Sequence, residues 1–155
     1  MTPQHLQQAD TYHEALVHAR VHTLVNYDWG ISDLQFDERS LTAGQLKVNK
    51  AHGVFPDGTP FLVGDHGEDE VEARPIEGNF PAALDALDVY LAVPNLRDNQ
   101  ANTALDPAKA GPSVRFVAHQ VSMPDINTGR NEQAISWARS NMRILFGTEP
   151  RDAYH

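Results

Sequence analysis

From Pro3 to about Asn26 apolar residues recur at three- to four-residue steps. Leu6, Ala9, Leu16 and Leu24 form one row, with His13 and Arg20 between them, and Tyr12, Ala15, Ala19 and His22 form another. That spacing predicts an amphipathic α-helix with one apolar stripe. Thr2 suits the N-cap, and Pro3 suits the first helical position, where a proline loses no hydrogen bond. The helix is expected to end near Asn26-Tyr27, because Asp28 and Gly30 are poor helix residues and Gly30 permits a backbone reversal.

After Trp29 the period changes from helical to alternating. Ile31 to Asp37 reads as a first strand, with Leu34 and Phe36 on one face, and Asp37-Glu38-Arg39-Ser40 as a turn. Leu46 and Val48 lie on a second strand, with Lys47 and Asn49 on its wet face. Val54-Phe55 leads into Pro56-Asp57-Gly58, a tight turn in which Pro sets φ and Gly accepts a positive one, and Phe61-Leu62-Val63 returns. Residues 64–83 read as loops with a short strand near Val71. Leu87, Val89, Leu91 and Val93 alternate until Pro94, which cannot donate to a ladder. Asn95 to Pro112 reads as a long exposed loop, and Val114 to Val121 as another strand. Glu132 to Thr148 tolerates a helix. Its β-branched and aromatic content favours two strands around a Ser140-Asn141 turn, with Trp137 in the core. The predicted fold is mainly β, an antiparallel sandwich with one long N-terminal helix. Leu34, Phe36, Val48, Phe61, Val89, Leu91 and Phe116 are its expected core.

Composition narrows the function. The 155 residues suit a single domain, residues 1–155, with a sizeable core. No apolar run is long enough for a membrane span, and no signal-peptide pattern opens the chain, so direct membrane insertion is not expected. Zero cysteines exclude disulfides and thiolate metal sites and are consistent with a cytoplasmic home. A net charge of −9 argues against nucleic acid as a partner, since phosphate recognition needs clustered Lys and Arg. The acidic run from Gly67 to Glu72 reads as a solvated loop.

Ordered short motifs carry a resemblance. Pro3-Gln4-His5-Leu6-Gln7-Gln8, then Trp29-Gly30, then Gly53-Val54-Phe55-Pro56-Asp57-Gly58-Thr59-Pro60-Phe61 are followed by Leu87 to Pro94, Asp125-Ile126-Asn127-Thr128-Gly129 and Asn141-Met142-Arg143-Ile144-Leu145-Phe146. In this order, from Pro3 to about Tyr154, they resemble the N-terminal domain of the type VI secretion baseplate family TssK, also called ImpJ or VasE, of Gram-negative bacteria. Family members usually carry a short W-x-E-G segment before P-Q-H, which is missing here, and continue several hundred residues further. The resemblance therefore implies one domain, similar to the shoulder of phage receptor-binding proteins, of a longer trimeric protein. It implies docking on the baseplate partners TssF and TssG. A helical neck and a C-terminal head, both absent here, would complete the trimer and reach the membrane complex.

Candidate chemistry is sparse. Glu14, His18 and His22 follow one another at four-residue steps and share a helix face. Two such histidines can chelate a divalent ion, but no third ligand is placed by sequence, so no metal or other cofactor is expected. Nothing resembles a nucleophile elbow or a phosphate-binding loop, Asp57 reads as a turn residue, and no enzymatic activity is expected. His5 reads as a hydrogen-bonding residue near the helix start. Gln4, His5, Leu6, Gln7 and Gln8, together with Tyr12, are the candidate partner-binding residues. Leu6 and Tyr12 would act as apolar anchors and the glutamines as a polar rim. From the residues alone, Leu6 could equally pack on its own sheet. The alternative function is a carbohydrate-binding β-sandwich module, which would expose aromatic rings in a shallow groove. A helix-based metal enzyme is a third.

Overall fold

The computed structural model describes residues 2–64, 69–80 and 85–155. Helix α1 spans Pro3–Leu24. His5 completes its cap: the Thr2 amide and hydroxyl lie 3.3 and 2.8 Å from His5 Nδ1. Helix α1 buries none of its residues. Beyond it, Tyr27 adopts a left-handed φ of 60° and reverses the chain into the first strand.

Strands β1 (Gly30–Phe36), β3 (Val48–Val54) and β4 (Pro60–Val63) form an antiparallel sheet in the order β1-β3-β4. Between β1 and β3 the expected Asp37-to-Ser40 turn is the start of a short helix, α2 (Glu38–Thr42). Asp37 caps it by accepting from the amides of Arg39 and Ser40. Strand β2 (Gln45–Leu46) pairs with β5 (Arg74–Pro75), close to the strand expected near Val71. The β3–β4 turn closes with the Phe55 amide on the Thr59 carbonyl at 2.8 Å, and Gly58 takes φ +85°.

Strands β6 (Val89–Ala92) and β10 (Arg143–Phe146) pair antiparallel and face the first sheet. The core between them holds Val48, Ala51, Phe61 and Val63 from one side and Val93, Ile144 and Phe146 from the other. Two antiparallel layers around one apolar core make the expected sandwich. Strand β7 (Thr103–Ala104) joins β8 (Phe116–Met123) in parallel, and β8 pairs with β9 (Gln133–Ser140) in a long antiparallel hairpin.

Several expectations change. Val48 and Phe61 are buried as expected, and Leu91 packs against the core. Phe116 is only partly covered, and Leu34, Phe36 and Val89 are exposed. Strand β1 lies at a sheet edge, the facing layer has two strands, and register shifts follow Ile31 and Gln35. A bulge inserts an unpaired residue, so alternation along β1 no longer assigns a buried face. Val89, first in β6, is exposed although it pairs with buried Phe146, so the core ends at the start of that strand.

Glu132 to Thr148 does form two strands, but not a hairpin. Strand β9 pairs with β8, and the chain crosses at Asn141 into β10 in another sheet. The Asn141 side-chain amide donates to the carbonyls of Gly111 and Val114 and fixes that crossing. Trp137, expected in the core, is on the exposed hairpin. Asn95 to Pro112 is more ordered than a plain loop. It contains β7 and a 3₁₀ turn at Pro107–Lys109, and the Asn102 side chain brackets the Arg97 amide and carbonyl at 2.9 and 3.0 Å.

Candidate partner-binding surface

Helix α1 meets the body near its C-terminal half. The His18 ring lies over Gly58, where a Cβ would come within 2.7 Å of it. Glycine is therefore needed twice at this turn, once for φ and once for the close approach of His18. His22 Nδ1 lies 2.9 Å from one Asp28 carboxylate oxygen and His18 Nε2 lies 3.7 Å from the other. Glu14, expected on the same helix face, is not part of this group, which comprises His18, His22 and Asp28. Asp28 was read from sequence only as a helix breaker. Its position six residues after His22, on the far side of a chain reversal, left no periodic signal.

Toward its N-terminus the same helix carries the expected contact residues. Gln4, His5, Leu6, Gln7 and Gln8 are all exposed, and so is Tyr12. Leu6 is 55% and Tyr12 64% exposed, values that leave no place for Leu6 in the core of this chain. His5 is engaged with Thr2 at the cap, as its position suggested. A second apolar surface lies at the other end of α1. A shallow groove there is lined by Val21, Val25, Trp29, Ile31, His52 and Val54, and exposed Leu34 and Phe36 continue along β1.

The turn beneath His18 is held by a residue that sequence reasoning missed. Arg115 is 2% exposed. Its guanidinium donates to the Pro94 carbonyl at 2.8 Å, to the Asp57 carboxylate, and to the Thr59 hydroxyl at 2.6 Å. Asp57 is thus the acidic half of a buried ion pair as well as a turn residue. Burial pushes its carboxyl up, but the Thr59 amide, the Arg115 charge and the Thr59 hydroxyl outweigh that and hold it below the usual range. The C-terminal residues close the same region: His155 exchanges backbone hydrogen bonds with Val93 at 2.9 and 3.1 Å. A second pair does similar work across the sandwich. Arg74 binds Glu149 at 2.7 and 3.1 Å, donates to the Ile144 carbonyl, and lies over the Phe146 ring. The Arg74 hydrogen bond lowers the Glu149 carboxyl, against the opposing effect of burial. Both pairs tie distant parts of the chain together.

A mainly β body of antiparallel sheets with one long helix in front defines the class of fold. Solved structures share it. "Crystal structure of TssK" superposes with a TM-score of 0.85 at 24% identity, over 99% of this chain and 34% of that one. A TssK-TssF-TssG baseplate subcomplex superposes at 0.85 and 20% identity, over 99% of this chain and 50% of that one. At these identities the likeness shows the fold. In sequence, the family "Bacterial Type VI secretion, VC_A0110, EvfL, ImpJ, VasE" matches residues 5–155. The type VI secretion baseplate component TssK1 of Pseudomonas aeruginosa is 34% identical over 134 residues, covering 86% of this chain. The chain belongs to this TssK (ImpJ, VasE) family, a family of structural baseplate components of type VI secretion. It spans 29% of the length of that relative. Among the described residues, no helix is long and apolar enough to cross a membrane.

Proposed function

We propose that this chain is the N-terminal, baseplate-docking domain of a TssK subunit. It holds a trimeric subunit on TssF and TssG, while parts of the subunit outside this chain extend toward the membrane complex. The work is binding, without catalysis, and its setting is the cytoplasmic face of the machine.

The observation that carries this reading is the 22-residue helix α1, which has no buried residue and presents Leu6 and Tyr12 to solvent. Helices normally gain their stability by packing an apolar face, so one that offers its apolar residues outward is suited to be covered by another chain. Gln4, Gln7 and Gln8 around Leu6 supply the polar rim that such a contact needs, and His5 fixes the helix start. That a solved relative is described in a TssK-TssF-TssG subcomplex names the partners to test.

The carbohydrate-binding alternative is less well supported. Trp29 is exposed beside a shallow groove that mixes Val21, Val25, Ile31 and Val54 with Tyr27, Ser32 and His52, so this reading rests on one groove alone, whereas the docking reading also has the family match behind it.

The experiment is capture of TssF and TssG by this chain and by its Leu6→Ala and Tyr12→Ala variants. Each variant is expected to weaken capture about tenfold with its fold intact. Full capture by both variants would place the contact elsewhere, with the 95–112 segment next to be tested.

A further inference from the structure

We propose that His18, His22 and Asp28 form a site for one divalent transition-metal ion of the zinc type, which locks the C-terminal half of α1 to the strand-entry turn. The ligand atoms of these three residues all lie within 4.8 Å of one another. His22 Nδ1 is 2.9 Å from one Asp28 oxygen and His18 Nε2 is 3.7 Å from the other. Around a tetrahedral zinc, with bonds of about 2.0–2.2 Å, neighbouring ligand atoms sit roughly 3.3–3.6 Å apart. The group therefore needs only small side-chain rotations to close on an ion.

Three features make this more than a chance cluster. His18 and His22 are one helical turn apart, the spacing that aims two imidazoles at one point. Asp28 comes from a different segment, carried back to the helix by the reversal at Tyr27, so it approaches the pair from the side. Its carboxylate is also only 3% exposed, and among the described residues the groups paired with it are the two imidazoles. A covered anion faced by two nitrogen donors is a mixed N/O set that suits zinc and its neighbours and not magnesium, which demands oxygen ligands.

Metal binding at His22 Nδ1 requires the neutral imidazole with its hydrogen on Nε2, and any proton displaced from Nδ1 leaves to solvent. Three protein ligands leave a fourth position open, on the side where His22 is exposed to solvent. A water or a partner's side chain can fill it. The structural consequence follows from how little else holds α1: an ion here ties the helix to the loop that leads into β1 and so sets the direction in which Leu6 and Tyr12 point.

The test is titration of the untagged full chain, stripped with chelator, with zinc sulfate and separately with magnesium sulfate by calorimetry. The same samples are followed by thermal unfolding. One zinc per chain is expected, with affinity in the micromolar range or tighter and a rise in Tm, and no response to magnesium. His22→Ala is the decisive variant, because His22 is the most exposed of the three and its loss leaves the His18 contact with Gly58 in place. It should weaken zinc binding by at least about tenfold and abolish the zinc-dependent Tm rise. Asp28→Asn should do the same, and Glu14→Gln should change neither. Circular dichroism verifies that each variant is folded before titration. Zinc binding weaker than about 100 µM, or binding that survives both His22→Ala and Asp28→Asn at full strength, overturns the proposal and leaves a plain His–Asp contact.

Discussion

Replacing Arg115 by Met is the sharpest probe of how this fold is held. Methionine keeps much of the length and volume of the arginine stem and removes the guanidinium. Three acceptors then lose their donor at once: the Pro94 carbonyl, the Asp57 carboxylate and the Thr59 hydroxyl. Arg115 is almost wholly buried and the Asp57 side chain is 20% exposed, so water cannot fully replace what is lost. Removing one partner of a buried ion pair costs about 3–5 kcal/mol, because the remaining charge stays desolvated. For a domain of this size that is a fall in Tm of roughly 6–20 °C. Asp57→Asn should cost less, about 1–3 kcal/mol, since it removes a charge but keeps an acceptor. The double variant should cost less than the sum of the singles by about 1–3 kcal/mol, because the two groups act on each other. Urea unfolding followed by tryptophan fluorescence gives all four stabilities. An Arg115→Met protein within about 1 kcal/mol of the parent, or strictly additive singles, would refute the assignment of Arg115 as the tie between the β3–β4 turn and the strand-end at Pro94.

Core and surface should separate cleanly in a second comparison. Phe146→Ala is expected to cost about 3–5 kcal/mol and Leu6→Ala less than about 0.5 kcal/mol in the same unfolding assay; a large loss for Leu6→Ala would show that the helix start packs on the body. Acid should destabilise the protein. Asp57, Glu149, Asp37 and Asp125 all have folded-state pKa values below their ordinary ones. Their contribution is complete above the unfolded values near pH 4 and disappears as pH falls through the lower folded values. Urea midpoints measured between pH 6 and about pH 3 should therefore decline only on the acid side of about pH 4. Glu149→Gln should make that decline shallower.

Much of this protein was readable from local chemistry. Thr2-Pro3 and an uninterrupted helical period announced α1, and its limits were right to within a few residues. The Pro56-Asp57-Gly58 turn, the end of a strand before Pro94 and the two strands within 132–148 followed from residues whose backbone preferences act over a few positions. The family resemblance rested on the same short motifs, whose order along the chain carried it. For the helix start, sequence left open whether Leu6 faced the sheet or the solvent, and the folded chain exposes it.

What tertiary structure decided was which faces are covered. Alternation marks two sides of a strand but does not say how far the opposing layer extends. Leu34 and Phe36 alternate as well as Leu91 and Val93 do, yet they lie on a bulged edge strand outside the reach of a two-stranded partner sheet. Trp137 looked like a core residue and is on an exposed hairpin, because β9 pairs only with β8 before the chain changes sheets at Asn141. Arg115 and Asp57 are 58 positions apart, and no local preference joins them. His18, His22 and Asp28 converge only because the chain reverses at Tyr27. Periodicity is a property of one segment, whereas burial and ligand geometry depend on which other segments arrive beside it, and only the folded chain brings them together.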